Sequence, residues 1–250
     1  MSRHCSKASP ADPLIFKGWQ KTSLIEYPGK ISSVVFVGGC NFRCPFCYNG
    51  DLVEKPHHLG DLGAETVLQD LSENAGLYQA LVISGGEPTL KPQLPGFLQR
   101  VKALDLCVGL ETNGTNPNML ERMLAEDLLD FIAMDVKAPL DWDAYRRAAG
   151  LPRDREDVIA EVKRSLHLLR ETPVEVELRC TVVPRVHQPK DILQLAEQLK
   201  GQRSFVLQQF VPERALDPGL RDQRPFAASV LSRLGTRIGG LFPRCEVRGI

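Results

Sequence analysis

Three cysteines lie within eight residues of one another, at Cys40, Cys44 and Cys47. Three thiolates on one short loop can reach a single metal centre, and thiolates are the usual ligands of a [4Fe–4S] cluster. Three protein ligands leave one iron of such a cluster open, much as a catalytic zinc keeps one coordination position free. The spacing therefore predicts an iron–sulfur cluster whose open iron can bind a substrate directly.

Other kinds of site compete for the same cysteines. A structural zinc site normally takes four protein ligands, and His57 or His58 would have to supply the fourth. Cys44 and Cys47 have the spacing of a glutaredoxin-type dithiol, although such folds are much smaller than this chain and would leave Cys40 without a role. Burial of all three in a core is a further alternative, which their polar and glycine neighbours disfavour because these indicate a loop.

Glycines and charged side chains follow three other apolar segments. Residues 85–88 have the sequence Gly-Gly-Glu-Pro, Glu111 begins the sequence Glu-Thr-Asn-Gly, and Asp135 and Lys137 are two residues apart. The glycines allow close approach to the backbone, whose carbonyls can accept from an ammonium group together with the glutamate. Side chains two residues apart on a strand share a face, so Asp135 and Lys137 form either part of a ligand site or an internal ion pair.

The elements that must position these residues follow from hydrophobic patterning. Apolar runs without strict alternation are typical of parallel strands buried on both faces, and amphipathic segments of helical period separate them. The predicted strands are Ser33–Val37, Leu81–Ser84, Cys107–Glu111, Phe131–Val136, Val174–Val183 and Phe205–Phe210. The predicted helices are Ala64–Glu73, Leu94–Leu104, Pro117–Glu126, Glu156–Arg170 and Lys190–Leu199.

Six strand-then-helix units in succession predict an α/β fold with a parallel sheet. Six are fewer than the eight units of a closed TIM barrel, so we expect a partial barrel or a doubly wound sheet. Both bind ligands at the carboxyl ends of their strands, where the glycines and acids lie. We expect residues 14–250 to form one domain, residues 14–31 a hairpin over one end of the sheet, and residues 1–13 a disordered segment. The pattern after Pro212 is too weak to assign.

Composition narrows the classes of function. The 250 residues carry 31 Lys and Arg against 31 Asp and Glu, so no basic excess points to nucleic acid. No apolar run approaches the roughly 20 residues that span a bilayer, and the N-terminus has no apolar signal segment. A disulfide framework is not expected of such a chain, although it has seven cysteines. We therefore expect a cytoplasmic protein that binds neither nucleic acid nor membrane.

The cysteine loop, with an aromatic residue before Cys47, resembles the signature of the radical S-adenosylmethionine (SAM) superfamily. Gly-Gly-Glu-Pro follows the second predicted strand, where that superfamily has its motif for the SAM amino group. Finer resemblance, from about Gly18 to Pro212, is to the activating proteins of anaerobic ribonucleoside-triphosphate reductases. Tyr48 departs from it, since many relatives have His there. The segments that carry it are Gly18–Gly29, Glu111–Gly114, Ala133–Pro139, Arg179–Pro184 and Leu207–Phe210.

The resemblance implies a partial (β/α)6 TIM-type barrel, a [4Fe–4S] cluster held by the three cysteines, and SAM. It also implies reductive cleavage of SAM to methionine and a 5′-deoxyadenosyl radical that abstracts a hydrogen atom, with no catalytic side chain beyond the cluster and SAM site. We expect Glu111 to accept from ribose hydroxyls and Lys137 to pair with the SAM carboxylate. The residues assigned to the SAM site are Gly85, Gly86, Glu87, Pro88, Glu111, Asn113, Asp135, Lys137, Arg179 and Gln208.

The resemblance also implies partners. Activating proteins place a radical on a glycine of another enzyme, so we expect a glycyl-radical enzyme such as an anaerobic ribonucleoside-triphosphate reductase. A low-potential electron donor such as flavodoxin or ferredoxin would reduce the cluster. A small-molecule enzyme similar to 7-carboxy-7-deazaguanine synthase is the alternative within the superfamily. A non-catalytic iron–sulfur or zinc-binding protein is the alternative of another class, and it would not need the glycines and acids at the strand ends.

Overall fold

The computed structural model describes residues 13–250. The segment 1–13, predicted to be disordered, lies outside the described residues except for Pro13, and so does Cys5. The strands are β1 (Ile15–Ser23), β2 (Ser32–Val37), β3 (Leu62–Gly63), β4 (Ala80–Gly85), β5 (Cys107–Thr112), β6 (Phe131–Asp135), β7 (Glu175–Val182), β8 (Ser204–Gln209) and β9 (Arg244–Arg248). The α-helices are α1 (Gly50–Glu54), α2 (Ala64–Glu73), α3 (Leu94–Lys102), α4 (Pro117–Ala125), α5 (Trp142–Ala149), α6 (Asp157–Glu171), α7 (Pro189–Gln198) and α8 (Ala228–Ile238).

All nine strands belong to one open sheet in the order β3-β1-β2-β4-β5-β6-β7-β8-β9. Neighbouring strands from β2 to β9 pair in parallel, whereas β1 pairs antiparallel with β2 and with β3. The six predicted parallel strands are confirmed, each within one residue at either end. Helices connect successive parallel strands, which gives the α/β partial barrel that the sequence predicts.

The N-terminal segment forms the predicted hairpin extension. Strand β1 pairs antiparallel with β2 and extends the edge of the sheet, while the loop between them covers one end of the barrel. The intervening loop packs Tyr27 inside the barrel, against Val34, Val82 and Phe131. These residues begin strands or lie near their beginnings, so Tyr27 fills the amino-terminal end of the barrel. The opposite, carboxyl-terminal end is left for the candidate site.

The segment after Pro212 adds a further helix and strand, α8 and β9, that the sequence pattern did not predict. Strand β9 pairs in parallel with β8 and makes seven parallel strands among the described residues. Its sequence is Arg-Cys-Glu-Val-Arg, and both arginines and the glutamate form ion pairs. A strand of this composition lacks the apolar run by which the other parallel strands were recognised.

Local signals begin and end the helices that shape the site. The Asp141 side chain accepts from the backbone N–H of Ala144 at 3.0 Å, which caps α5. Gly150 ends that helix at φ 63°, a left-handed conformation that glycine adopts without steric cost. Asn116 caps α4 in the same way as Asp141. None of the helices in residues 13–250 is both long enough and apolar enough to cross a membrane.

Candidate active site

The cysteine loop follows β2 at the carboxyl-terminal end of the barrel. Cys44 is buried, and Cys40 and Cys47 are partly exposed. The backbone N–H of Arg43 donates to the carbonyl of Ala149 at 2.9 Å, which fastens the loop to the end of α5. The three cysteines line one cavity of about 320 Å³. The predicted ligands of a cluster thus face a common space.

Burial sets the protonation of these thiols. It raises the pKa of Cys40 to about 11 and that of Cys44 to about 12, and it raises the pKa of Cys47 as well. The thiols therefore keep their protons at neutral pH unless a metal replaces them, because metal binding needs the thiolate. Lys137 opposes the effect of burial at all three sulfurs, so its ammonium lies where it would stabilise thiolate charge.

The described residues offer no grouped set of ligands for a single zinc ion. Among residues 13–250, no three Cys, His, Asp or Glu side chains are placed to hold one metal ion. A zinc ion needs its sulfurs about 2.3 Å away, whereas the ligands of a cubane each bind a different iron and stand further apart. His57 and His58, which a zinc site would need, lie on a short 3-10 turn and do not line the cavity.

The glycine loop after β4 packs on the base of the cysteine loop. The backbone N–H of Gly86 donates to the carbonyl of Val37, and that of Glu87 to the carbonyl of Gly39, both at 2.9 Å. A Cβ on Gly86 would lie 1.9 Å from the Gly39 oxygen, and one on Gly85 would lie 2.4 Å from the Val37 oxygen. The glycines are therefore required for contact between two protein loops, where the sequence suggested only approach of a ligand.

Glu87 and Pro88 lie behind the cavity wall. Glu87 is fully buried, and its carboxylate accepts from Thr89, from the Thr112 hydroxyl at 2.8 Å and from the Asn113 backbone N–H at 2.7 Å. Burial raises the pKa of this carboxyl above its ordinary value, although the hydrogen bonds partly oppose the effect. The structure thus corrects the expectation that the Glu87 side chain faces a SAM ammonium, because its oxygens hold the loop after β5 instead.

Glu111 lines the cavity at the end of β5, with Ser84 of β4 beside it. Its carboxylate accepts from the Ser84 hydroxyl at 2.6 Å and from Arg179 Nη1 at 2.5 Å. Arg179 also donates from Nε to Glu177 at 2.6 Å and does not line the cavity. The structure therefore corrects the assignment of Arg179 to direct ligand contact, because the side chain does not line the cavity and its Nε and Nη1 are engaged by carboxylates.

The remaining predicted residues line the cavity around the cysteines: Gly85, Gly86, Asn113, Asp135, Lys137 and Gln208. Lys137 and Asp135 form an ion pair of 2.8 Å. Burial lowers the pKa of Lys137, but the Asp135 carboxylate raises it and prevails, so the ammonium stays charged. The Asn113 amide lies 3.8 Å from Cys40 Sγ and donates to Asn41 at 2.8 Å.

Several cavity residues were missed by the sequence analysis, among them Ser84, Asn49 and Thr181. Thr181 could have been predicted, because it lies two residues beyond Arg179 on the same face of the strand. His187 is buried, and its Nε2 lies 2.7 Å from the carbonyl of Lys137. It therefore supports the backbone of the site. Cys180 is a buried core residue, and no disulfide involves the six described cysteines.

Comparison with known proteins gives close relatives among activating enzymes. A protein of Methanocaldococcus jannaschii, provisionally assigned as a glycyl-radical enzyme activating enzyme, is 34% identical over 78% of this chain and 79% of its own length. The pyruvate formate-lyase-activating enzyme of Clostridium pasteurianum is 27% identical over 79% and 81%. The 7-carboxy-7-deazaguanine synthase of Neisseria meningitidis is 34% identical, but over 42% of each chain.

A solved structure has a similar fold, and a model of a protein superfamily matches much of the chain. The structure of SuiB from Streptococcus suis bound to S-adenosylmethionine superposes with a TM-score of 0.59 at 14% identity, and the match covers 86% of this chain and 48% of SuiB. This chain therefore spans about half of SuiB, and the likeness concerns the fold alone. The model of the radical SAM superfamily matches residues 34–199. Because that match takes in the cysteine loop, the glycine loop and five of the parallel strands, this chain belongs to the radical SAM superfamily.

Proposed function

We propose that this chain activates a glycyl-radical enzyme by using SAM and a [4Fe–4S] cluster held by Cys40, Cys44 and Cys47. The observation that carries the proposal is the 34% identity to a provisionally assigned activating enzyme along nearly four-fifths of both chains. The likeness to a pyruvate formate-lyase-activating enzyme has a similar extent. Similarity to a deazaguanine synthase covers less than half of each chain, which makes small-molecule chemistry the second candidate.

The chain's own residues would bind and orient SAM. The backbone carbonyl of Gly85, which faces Asn49 at 3.4 Å, can accept from the SAM ammonium. The Lys137 ammonium can pair with the SAM carboxylate, and Asp135 keeps that ammonium in place. Glu111 can accept from ribose hydroxyls, as acidic residues do in dinucleotide sites. Bound together, cluster and SAM supply a carbon radical able to abstract hydrogen, so the protein's task is position and exclusion of water.

The mouth of the cavity favours a macromolecular partner. Tyr48 and Val211 line the cavity, and each is 49% exposed, so the cavity reaches the surface between the loops after β2 and β8. A loop of another protein that carries a glycine could therefore enter at this rim. We propose an anaerobic ribonucleoside-triphosphate reductase as that partner and a flavodoxin or ferredoxin as electron donor.

The test is to reconstitute the protein with iron and sulfide without oxygen, and to mix it with SAM, a reductant and the candidate reductase. We expect one 5′-deoxyadenosine for each glycyl radical, observed as a doublet by EPR. A reductase whose radical glycine is replaced by alanine and a Cys44→Ala variant of this chain are the controls. SAM cleavage without a glycyl signal on any glycyl-radical enzyme, together with modification of a small molecule, would replace this proposal by the second candidate.

A further inference from the structure

A chain of ion pairs crosses the barrel interior from its last strand. Arg248 of β9 donates from Nη1 and Nη2 to the two oxygens of Glu177, at 2.7 and 2.6 Å. Glu177 is 1% exposed and lies on β7. Its Oε1 also accepts from Arg179 Nε at 2.6 Å. Both arginines thus hold one buried carboxylate in a fixed orientation.

The same chain of contacts ends in the cavity. Arg179 uses its other face for Glu111, with 2.5 Å between Nη1 and Oε1. Oε2 of Glu111 accepts from the Ser84 hydroxyl, so both oxygens of this cavity residue are oriented by protein groups. Four strands, β4, β5, β7 and β9, are therefore joined through side chains at this level of the barrel.

The charge balance around Glu177 explains how Arg248 can influence Glu111, which it does not contact. A buried carboxylate that loses one of two cationic partners recruits the other more strongly, because an uncompensated buried charge is costly. Without Arg248, Arg179 would be the remaining cation on Glu177 and would be drawn away from Glu111. Glu111 would then lose the cation that fixes its Oε1, and the Ser84 hydroxyl and the adjacent Glu26 carboxyl would not hold it in a single orientation.

We propose that Arg248 is a positioning residue for the SAM site: through Glu177 and Arg179 it fixes the carboxylate of Glu111 for the cofactor ribose. This inference rests on the proposed function, which assigns Glu111 to SAM. Arg248 lies outside residues 34–199, the part of the chain that the superfamily model matches. The last strand is thereby a functional part of the cofactor site as well as the edge of the sheet.

The experiment measures SAM binding to the reconstituted, oxygen-free protein by equilibrium dialysis. Arg248→Gln should raise the dissociation constant about 3- to 30-fold, and Arg248→Lys less, since a lysine keeps the charge but not the paired contact. Arg164→Gln is the matched control, because Arg164 on α6 forms an ion pair with Glu121 in which both side chains are about half exposed. Iron content and melting temperature are measured for every variant.

A double-mutant cycle separates positioning from a general structural role. If Arg248 acts through Glu111, Arg248→Gln should add little to the loss of SAM affinity that Glu111→Gln causes alone. Fully additive losses, or unchanged affinity in Arg248→Gln, would overturn the inference while SAM binding by the wild type leaves the proposed function standing. Absence of SAM binding by the wild type would overturn both.

Discussion

At the scale of single residues, Asn113 links the cofactor cavity to the cysteine loop. Its amide lies 3.8 Å from Cys40 Sγ, and the backbone N–H of Phe42 donates to the same sulfur at 3.3 Å. Hydrogen bonds to ligating sulfurs favour the more negative, reduced cluster. Asn113→Leu should therefore shift the cluster potential to more negative values, by an amount on the order of tens of millivolts, in a redox titration followed by EPR.

The control for that experiment is Asn74→Leu, because Asn74 lies at the exposed end of α2 and donates to Asp70. It should leave the potential unchanged. An unchanged potential in the Asn113 variant, with iron content intact, would show that this amide has no influence on the cluster.

Glu26 gives a second prediction, about pH. Burial and the neighbouring Glu111 carboxylate raise the pKa of Glu26 from 4.5 to about 7, while Arg179 and Arg248 partly oppose them. Between these values the folded protein keeps a proton that the unfolded chain releases, so Glu26 makes stability fall as pH rises. Glu26→Gln removes this titration. The free energy of unfolding of the variant, relative to that of the wild type, should therefore be higher at about pH 8 than at about pH 5 by about 1–2 kcal/mol, after allowance for solvent screening.

Denaturant unfolding of both proteins across this range of pH measures the difference. Glu197→Gln, at an exposed position on α7, serves as the control. A stability difference between Glu26→Gln and wild type that stays constant with pH would contradict the predicted titration of Glu26.

Residue types could be predicted from the sequence more readily than side-chain directions. The sequence placed Glu87, Glu111 and Arg179 at the correct edge of the sheet, but only Glu111 lines the cavity. Glu87 turns inward because Thr89 of its own loop and, at the end of β5, Thr112 and Asn113 offer it hydrogen bonds. Thr112 and Asn113 come from a distant part of the chain, so local spacing carries no signal for them.

At the scale of elements, the contact between the glycine loop and the cysteine loop leads to a third prediction. Gly86→Ala would bring a Cβ to 1.9 Å from the Gly39 oxygen, and backbone atoms must move to relieve the clash. Because Gly39 precedes Cys40, we expect the variant to lose iron as well as SAM affinity. Iron and sulfide assays after reconstitution, together with SAM dialysis, measure both effects.

Gly96→Ala is the matched control, since Gly96 lies on α3 with open space around the position of a Cβ. It should keep full iron content and gain about 0.5–1 kcal/mol of stability from the better helix former. Full iron content in Gly86→Ala with weakened SAM binding would instead support the simpler role in ligand approach.

The elements also show where pattern reasoning fails. Strands with apolar residues on both faces were predicted within one residue, because burial between helices and barrel interior imposes that composition. Strand β9 places Glu246 and Arg248 in the interior ion pairs and therefore has a mixed, polar sequence. Because charged side chains of β9 face the barrel interior, hydrophobic patterning does not predict this strand. Its ion pairs can be recognised only in the folded structure.

At the scale of the whole molecule, the barrel has two ends of different chemistry. The amino-terminal end is closed by Tyr27, whose ring centroid lies 5.2 Å from that of Phe131. Charged side chains fill the middle, and the cavity with the three cysteines occupies the carboxyl-terminal end. The apolar contacts that stabilise the barrel and the cavity that would bind ligands therefore lie at opposite ends, so a ligand in the cavity leaves the contacts around Tyr27 intact.

The last prediction uses this polarity, because cysteines lie at both ends of the barrel. Cys44 lines the cavity, whereas Cys107 begins β5 and packs with the apolar cluster around Tyr27. We expect about four irons and four sulfides per chain in the reconstituted protein, the content of one cubane. Cys44→Ala should abolish this content, and Cys107→Ala, a matched substitution at the closed end, should retain it. Metal and sulfide analysis, with the absorbance of the cluster, distinguishes these outcomes. One zinc per chain without sulfide would contradict the cluster, and loss of iron in both variants would show that the substitutions act through folding.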